Sequence, residues 1–284
     1  MRNAILVLAL LALAACGQPG RRGPLQPLFA PSAPADTGEA RRLDEVGRLW
    51  RDGLYDRARS ELDALLAAGC SHPEALLLKA RLLLQAGDSE AALPWLDRAA
   101  GASPLWAEPR ILLAETYLTL ERWGAAESVF ADVERIAPQG PWGPYGMAAV
   151  AARRGDQARA IELCDRALER DPDHLPAVAL RARLARATGD AAREEALLGR
   201  MVEQQPLEAE AWARLAELAD AGNRREDARR RWERAWALAP RPATARALAD
   251  LAERRGDGDE AARWRTRAGT PPAATDGLTS GETR

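Results

Sequence analysis

Proline recurs every thirty-four residues in this chain, at Pro104, Pro138, Pro172, Pro206 and Pro240. A fixed period of that length means a chain built from copies of one short unit. No copy can bury its apolar face alone, so neighbours must stack. Frames that begin at Glu39, Pro73, Ala107, Pro141, Leu175 and Ala209 follow one another without gaps. The eighth position then reads Val46, Ala80, Ala114, Ala148, Ala182 and Ala216. The twentieth reads Ala58, Ala92, Ala126, Ala160, Glu194 and Ala228, and the twenty-seventh Leu65, Ala99, Val133, Ala167, Met201 and Ala235.

Small side chains at fixed positions let two helix axes approach and interlock. Each frame holds two stretches of about a dozen residues with apolar positions at helical spacing. In the third frame these are Ile111, Leu112, Ala114, Tyr117 and Leu118, then Ala126, Val129, Phe130 and Val133. Gly87-Asp88, Gly155-Asp156 and Gly189-Asp190 fall between such stretches. Glycine tolerates the left-handed turn that ends one helix, and aspartate caps the next. The expected fold is all-α, a right-handed superhelical solenoid of six to seven antiparallel helix pairs over residues 39–268. Two places depart from the pattern. Glu194 occupies a position that is otherwise small, which puts the second helix of the fifth pair in doubt. Pro141-Trp142-Gly143-Pro144-Tyr145-Gly146 is expected to delay or distort its helix start, because glycine and proline are poor in helix interiors.

These residues resemble the tetratricopeptide repeat family. Trp212 stands at position four, Tyr117 at eleven, Phe130 and Trp232 at twenty-four, and the prolines at thirty-two. A seventh, slipped copy starts at Pro242 and places Ala249, Ala261 and Ala268 at the small positions. In that family the first helix of each repeat lines a groove, usually through positions two, five, nine, twelve and thirteen. The resemblance therefore implies a partner-binding face made of Trp50, then Leu77, Arg81 and Leu84, then Ile111, Glu115 and Leu118. It continues through Trp142, Tyr145 and Arg153 to Arg183 and Arg186. Leu77, Leu84, Ile111 and Leu118 have a second reading, as packing against neighbouring helices or the tether. The Lys and Asn clamp by which the family holds chaperone C-termini is missing, since positions five and nine read Leu77 and Arg81, Ile111 and Glu115, Tyr145 and Ala149.

The first fifteen residues read separately. Arg2 precedes an apolar run from Ala4 to Ala15, too short to span a bilayer and of the length of a signal-peptide core. Leu13-Ala14-Ala15-Cys16 resembles the lipobox of bacterial lipoproteins; an ordinary signal peptide with an incidental cysteine is the other reading. The resemblance implies that Cys16 begins the mature chain and carries lipid, palmitate included. Two or more acyl chains anchor a protein stably. Gly17 stands where, in enteric-type bacteria, aspartate retains lipoproteins in the inner membrane. The implied location is the outer membrane facing the periplasm, or the outer face of the plasma membrane where no outer membrane exists. Residues 16–38 then form the lipidated N-terminus and a proline-rich tether. Its twenty-two residues after Cys16 reach about 25 Å as a coil and at most about 70 Å if extended. Residues 269–284 read as a disordered tail.

A net charge of −2 argues against nucleic acid as a partner. Cys70 and Cys164 lie three repeats apart, beyond disulfide reach of each other. His72 and His174 are the only histidines, and both read as solvent-exposed boundary residues. No cofactor, metal or catalytic constellation is expected, and the chain reads as a non-enzyme. The expected function is a lipid-anchored periplasmic scaffold that holds a protein or peptide partner in its groove. It would serve an envelope assembly such as a pilus, a secretion or polymer-export channel, or outer-membrane insertion. The alternative is an adaptor for peptidoglycan-remodelling enzymes, acting through the arginine-dense segment 224–234; a solvated helix face is the plainer reading of that segment.

Overall fold

The computed structural model describes residues 38–269. The leader, Cys16, the tether and the tail beyond Gly269 lie outside them. Among the described residues every regular element is an α-helix. The helices are α1 (Gly38–Arg51), α2 (Tyr55–Ala67), α3 (Pro73–Gln85), α4 (Ser89–Ala102), α5 (Ala107–Thr119), α6 (Trp123–Ile136) and α7 (Trp142–Arg153). They continue as α8 (Gln157–Arg170), α9 (Leu175–Thr188), α10 (Ala191–Gln204), α11 (Ala209–Ala221), α12 (Arg225–Leu238), α13 (Pro242–Arg254) and α14 (Gly258–Gly269). The chain divides into two compact units, one ending at Leu180 and the other beginning at Arg181. From α1 to α8 in the first unit, and from α10 to α14 in the second, each helix packs on the next in chain order. The fold is an all-α solenoid of helix pairs.

The small positions explain the pairing. Ala58, Ala80, Ala92, Ala114, Ala126, Ala148 and Ala160 are wholly enclosed in the first unit, as are Ala216 and Ala228 in the second. The turn inside each pair is equally regular. Position fifteen has a positive φ in every pair: Gly53, Gly87, Glu121, Gly155, Gly189, Asn223 and Gly256. The next residue caps the second helix in four of them. Asp88, Asp156, Asp190 and Asp257 accept hydrogen bonds of 2.9–3.1 Å from backbone N–H groups three residues on. Glu121 is the costly exception, because a side chain with a Cβ resists the left-handed region by about 1–2 kcal/mol, and asparagine resists it less. Glu121→Gly is therefore expected to raise stability by about 1 kcal/mol in urea unfolding, after the entropy that glycine adds to the unfolded chain is subtracted. Asn223→Gly should change it less. An unmoved midpoint for Glu121→Gly would remove strain as the reason.

Both doubtful places resolve. Helix α10 is intact, and Glu194 at its small position is only 3% exposed. Its two carboxylate oxygens accept hydrogen bonds from Arg214 of α11 at 2.6 and 2.8 Å. The other first helices that follow a repeat boundary start on their frame; α7 starts one residue late, with Tyr145 N–H donating to the Pro141 carbonyl at 3.0 Å. Its glycines serve packing. A Cβ on Gly146 would stand 2.0 Å from the Phe130 ring, and one on Gly143 would stand 2.8–2.9 Å from Cβ and Cα of Glu134. Helix α7 thus lies directly on α6, over Phe130, the largest fully enclosed side chain.

Ion pairs join neighbouring repeats. Arg122 bonds Glu90 at 2.9 Å, Arg159 bonds Glu127 at 3.3 Å, and Arg170 bonds Glu134 through both nitrogens at 2.7 Å. In the second unit Arg224 and Arg231 close on Glu195 at 2.6–2.8 Å. The hydrogen bond from Arg224 is the largest cause that holds the Glu195 carboxyl down at about 2. Each of these pairs spans about one repeat in sequence.

Candidate partner-binding face of the first helices

The groove residues sort by position. At position five, Leu77 and Ile111 are enclosed, at 3% and 4% exposure, and Leu77 packs into the cluster of Leu76, Leu96, Trp106 and Leu113. Of the two readings open for them, the structure takes packing; neither offers surface to a partner. At position twelve, Trp50, Leu84 and Leu118 are each half-buried on three successive first helices. Their inner edges rest on the core, and Trp50 meets Tyr55 edge-on at 5.1 Å. Position twelve thus gives the first unit an apolar stripe with one side open.

Position nine carries charge. Arg81 donates to Glu108 at position two of the following repeat, and its Nε is buried with no acceptor among the described residues. Glu115, the position-nine residue of α5, keeps part of its surface, but burial pushes its carboxyl up to about 7. Arg153 is exposed at the end of α7. In the second unit Arg183 and Arg186 are exposed on α9.

Trp142 and Tyr145 do come together, around a residue that the sequence places wrongly. His174 is fully enclosed rather than exposed. Its ring meets Trp142 edge-on at 4.5 Å and Tyr145 at 5.3 Å, and the two aromatic rings meet each other at 5.7 Å. Neither imidazole nitrogen, nor Trp142 Nε1, has a protein partner among the described residues. Desolvation lowers the His174 pKa to about 4, so the ring is neutral at physiological pH. Trp142 and Tyr145 are therefore clasping groups first, with their outer faces half-open. A signal for this existed. Trp106 occupies the same last position of its repeat and is also enclosed.

Several arginines of the arginine-dense segment are paired with acidic side chains. Arg229 pairs with Glu226 and Glu233, and Arg231 with Glu195 and Asp227. Arg230 remains 70% exposed, 3.7 Å from Asp227. Asp227 pairs with Arg231 one turn on at 2.9 Å, while Glu226 turns to Arg229 and Arg255. This arrangement is that of a solvated helix face.

Residues 43–105 match the tetratricopeptide repeat family profile. No curated protein matches the chain. Among solved structures, a thermophilic tetratricopeptide repeat protein of Thermus thermophilus is 25% identical with a TM-score of 0.54; the match covers 63% of this chain and 98% of that one. PilF of Pseudomonas aeruginosa is 14% identical with a TM-score of 0.58, over 68% of this chain and 88% of its own. PilW, described as a widely conserved type IV pilus biogenesis factor, is 18% identical with a TM-score of 0.54, over 69% and 91%. Arrays of this kind present extended surfaces built for binding. Helix pairs, small positions and solved likenesses agree: this chain is an all-α solenoid of tetratricopeptide-type repeats.

Proposed function

We propose that the protein is a lipid-anchored scaffold of the bacterial envelope that holds a protein partner against the first helices of its first unit. The observation that carries the binding part is the position-twelve stripe. Trp50, Leu84 and Leu118 stay half-open on three successive repeats, although an array needs only their inner edges for its core. Extended peptides and amphipathic helices suit such a face. The anchor rests on Leu13-Ala14-Ala15-Cys16 and on the proline-rich stretch after it, which lets the array work away from the lipid surface. Gly17 favours the outer membrane, facing the periplasm. The likeness to the pilus proteins carries the fold; the choice among pilus, secretion, export and insertion assemblies belongs to the partner. The pairing of Arg229 and Arg231 with acidic side chains favours this reading over an adaptor that works through them.

The test has two arms in one strain. Radioactive fatty acid should label the wild-type chain and leave Cys16→Ser unlabelled, with the variant released from the membrane fraction. Crosslinking in cells should trap a partner on the wild type. Leu84→Gln with Leu118→Gln should cut its recovery about tenfold, at the scale of two interface anchors, while the helical circular-dichroism signal stays. Equal labelling of Cys16→Ser would sink the anchor, and full recovery with the double variant would sink the face.

A further inference from the structure

The first described repeat breaks a turn rule that the others keep. Position sixteen caps the second helix with aspartate in four pairs and carries arginine in two; in the first pair it is Leu54. Leu54 makes no side-chain cap bond to α2, and leucine is among the poorest residues at that place. It is also 45% exposed, so neither capping nor the core gives a reason for it. Tyr55 beside it is 39% exposed, whereas Trp123, at the same position of the third repeat, packs into the cluster around Phe130. Tyr55 meets the half-buried Trp50 edge-on at 5.1 Å. Leu54, Tyr55, Leu105 and Leu207 are the large apolar side chains exposed among the described residues, and only the first two adjoin. Single exposures are ordinary, while an adjoining apolar set marks a contact surface. No helix precedes α1 among the described residues, so this edge has no earlier repeat against it.

We propose that residues 24–31 fold back along α1 and seat Leu25, Leu28 and Phe29 on Trp50, Leu54 and Tyr55, as a strap over the open edge of the array. Chemistry and reach set the choice of occupant. Pro24-Leu25-Gln26-Pro27 has the spacing by which proline-rich segments dock on exposed aromatic rings, and Trp50 with Tyr55 is such a pair. Leu25, Leu28 and Phe29 are the large apolar residues between Cys16 and Gly38. Trp50 stands twelve residues into α1, about 18 Å from its start. Phe29 lies nine residues before Gly38, about 28 Å of extended chain, so it reaches Trp50 with length to spare. A segment joined this closely to its seat acts at about millimolar effective concentration, and weak contacts suffice to hold it. Residues 17–23 then separate the strap from Cys16. Trp50 also belongs to the binding face proposed above, so a partner that reaches the first repeat displaces the strap; the seat itself does not depend on that face.

Photocrosslinking in the full chain tests this. Benzoylphenylalanine placed at position 54 should join, on irradiation, residues 24–31 of the same chain, and the product should keep the mass of a monomer. Leu28→Ser with Phe29→Ser should cut that product about tenfold, at the scale of two interface anchors. With Leu54 left in place, the same double variant should speed hydrogen exchange at residues 54–58 about tenfold, because the strap shields the first turn of α2. Helices α5 to α8 should exchange as before. A product on lipid, on a second copy or on another protein in place of the strap overturns the inference. So does the absence of any product, or exchange at residues 54–58 that the double variant leaves unchanged. None of these results touches the position-twelve face, whose own test is Leu84→Gln with Leu118→Gln.

Discussion

Gly146→Ala is expected to destabilise the first unit by about 3 kcal/mol or more. Two effects oppose each other. Alanine improves helix propensity by about 1 kcal/mol over glycine. The new Cβ would stand 2.0–2.2 Å from three ring carbons of Phe130, which is fully enclosed in α6 and has no room to swing aside. The clash wins because α7 must lift off α6 along its length to relieve it, and Ala114, Ala126 and Val150 share that contact. Urea unfolding measures the loss. Phe130→Leu should be destabilising alone and partly corrective in the Gly146→Ala background, with a coupling of at least about 1 kcal/mol. Additive losses would mean that the ring is not what forbids a side chain there. Gly143→Ala is a second probe of the same approach, since Glu134 is held by Arg170 and lies within 2.9 Å of the new atom.

The other large effect is asymmetric. Arg214→Ala is expected to cost about 3–5 kcal/mol, because it strands the Glu194 carboxylate at 3% exposure with neither of its two donors. Glu194→Ala should cost much less. It restores the alanine common to this position, and Arg214 keeps Glu217 at 2.6 Å and about a quarter of its surface in water. Glu194→Ala with Arg214→Leu should return close to wild-type stability or exceed it, as buried pairs replaced by apolar groups often do. Equal losses for the two single variants would show that the pair acts through packing volume rather than charge.

What could be read in advance followed from local chemistry. The thirty-four-residue frame, the buried small positions and the Gly-Asp turns each depend on residues within one repeat, and each appears where the sequence placed it. What could not be read depends on a residue elsewhere. Glu194 looks like an error until Arg214, twenty residues on, closes over it. Gly143 and Gly146 look like helix breakers until Phe130 explains why a Cβ is forbidden. His174 looks like a polar boundary residue, because the rings that enclose it stand about one repeat earlier. On the first helices, position five and position twelve have the same apolar character in sequence. Only the packing shows that Leu77 and Ile111 close inward while Leu84 and Leu118 stay half-open.

The ion pairs between neighbouring repeats carry a mechanical consequence. Arg122 to Glu90 ties the start of α6 to α4, Arg159 to Glu127 and Arg170 to Glu134 tie α8 to α6, and none of the three reaches further along the chain. Where the first unit is pulled along its stack of helix pairs, these bonds carry load from one repeat to the next. Bonds shared only between adjacent repeats can let go one rung at a time and re-form the same way. Such a stack yields by steps under load instead of failing at once.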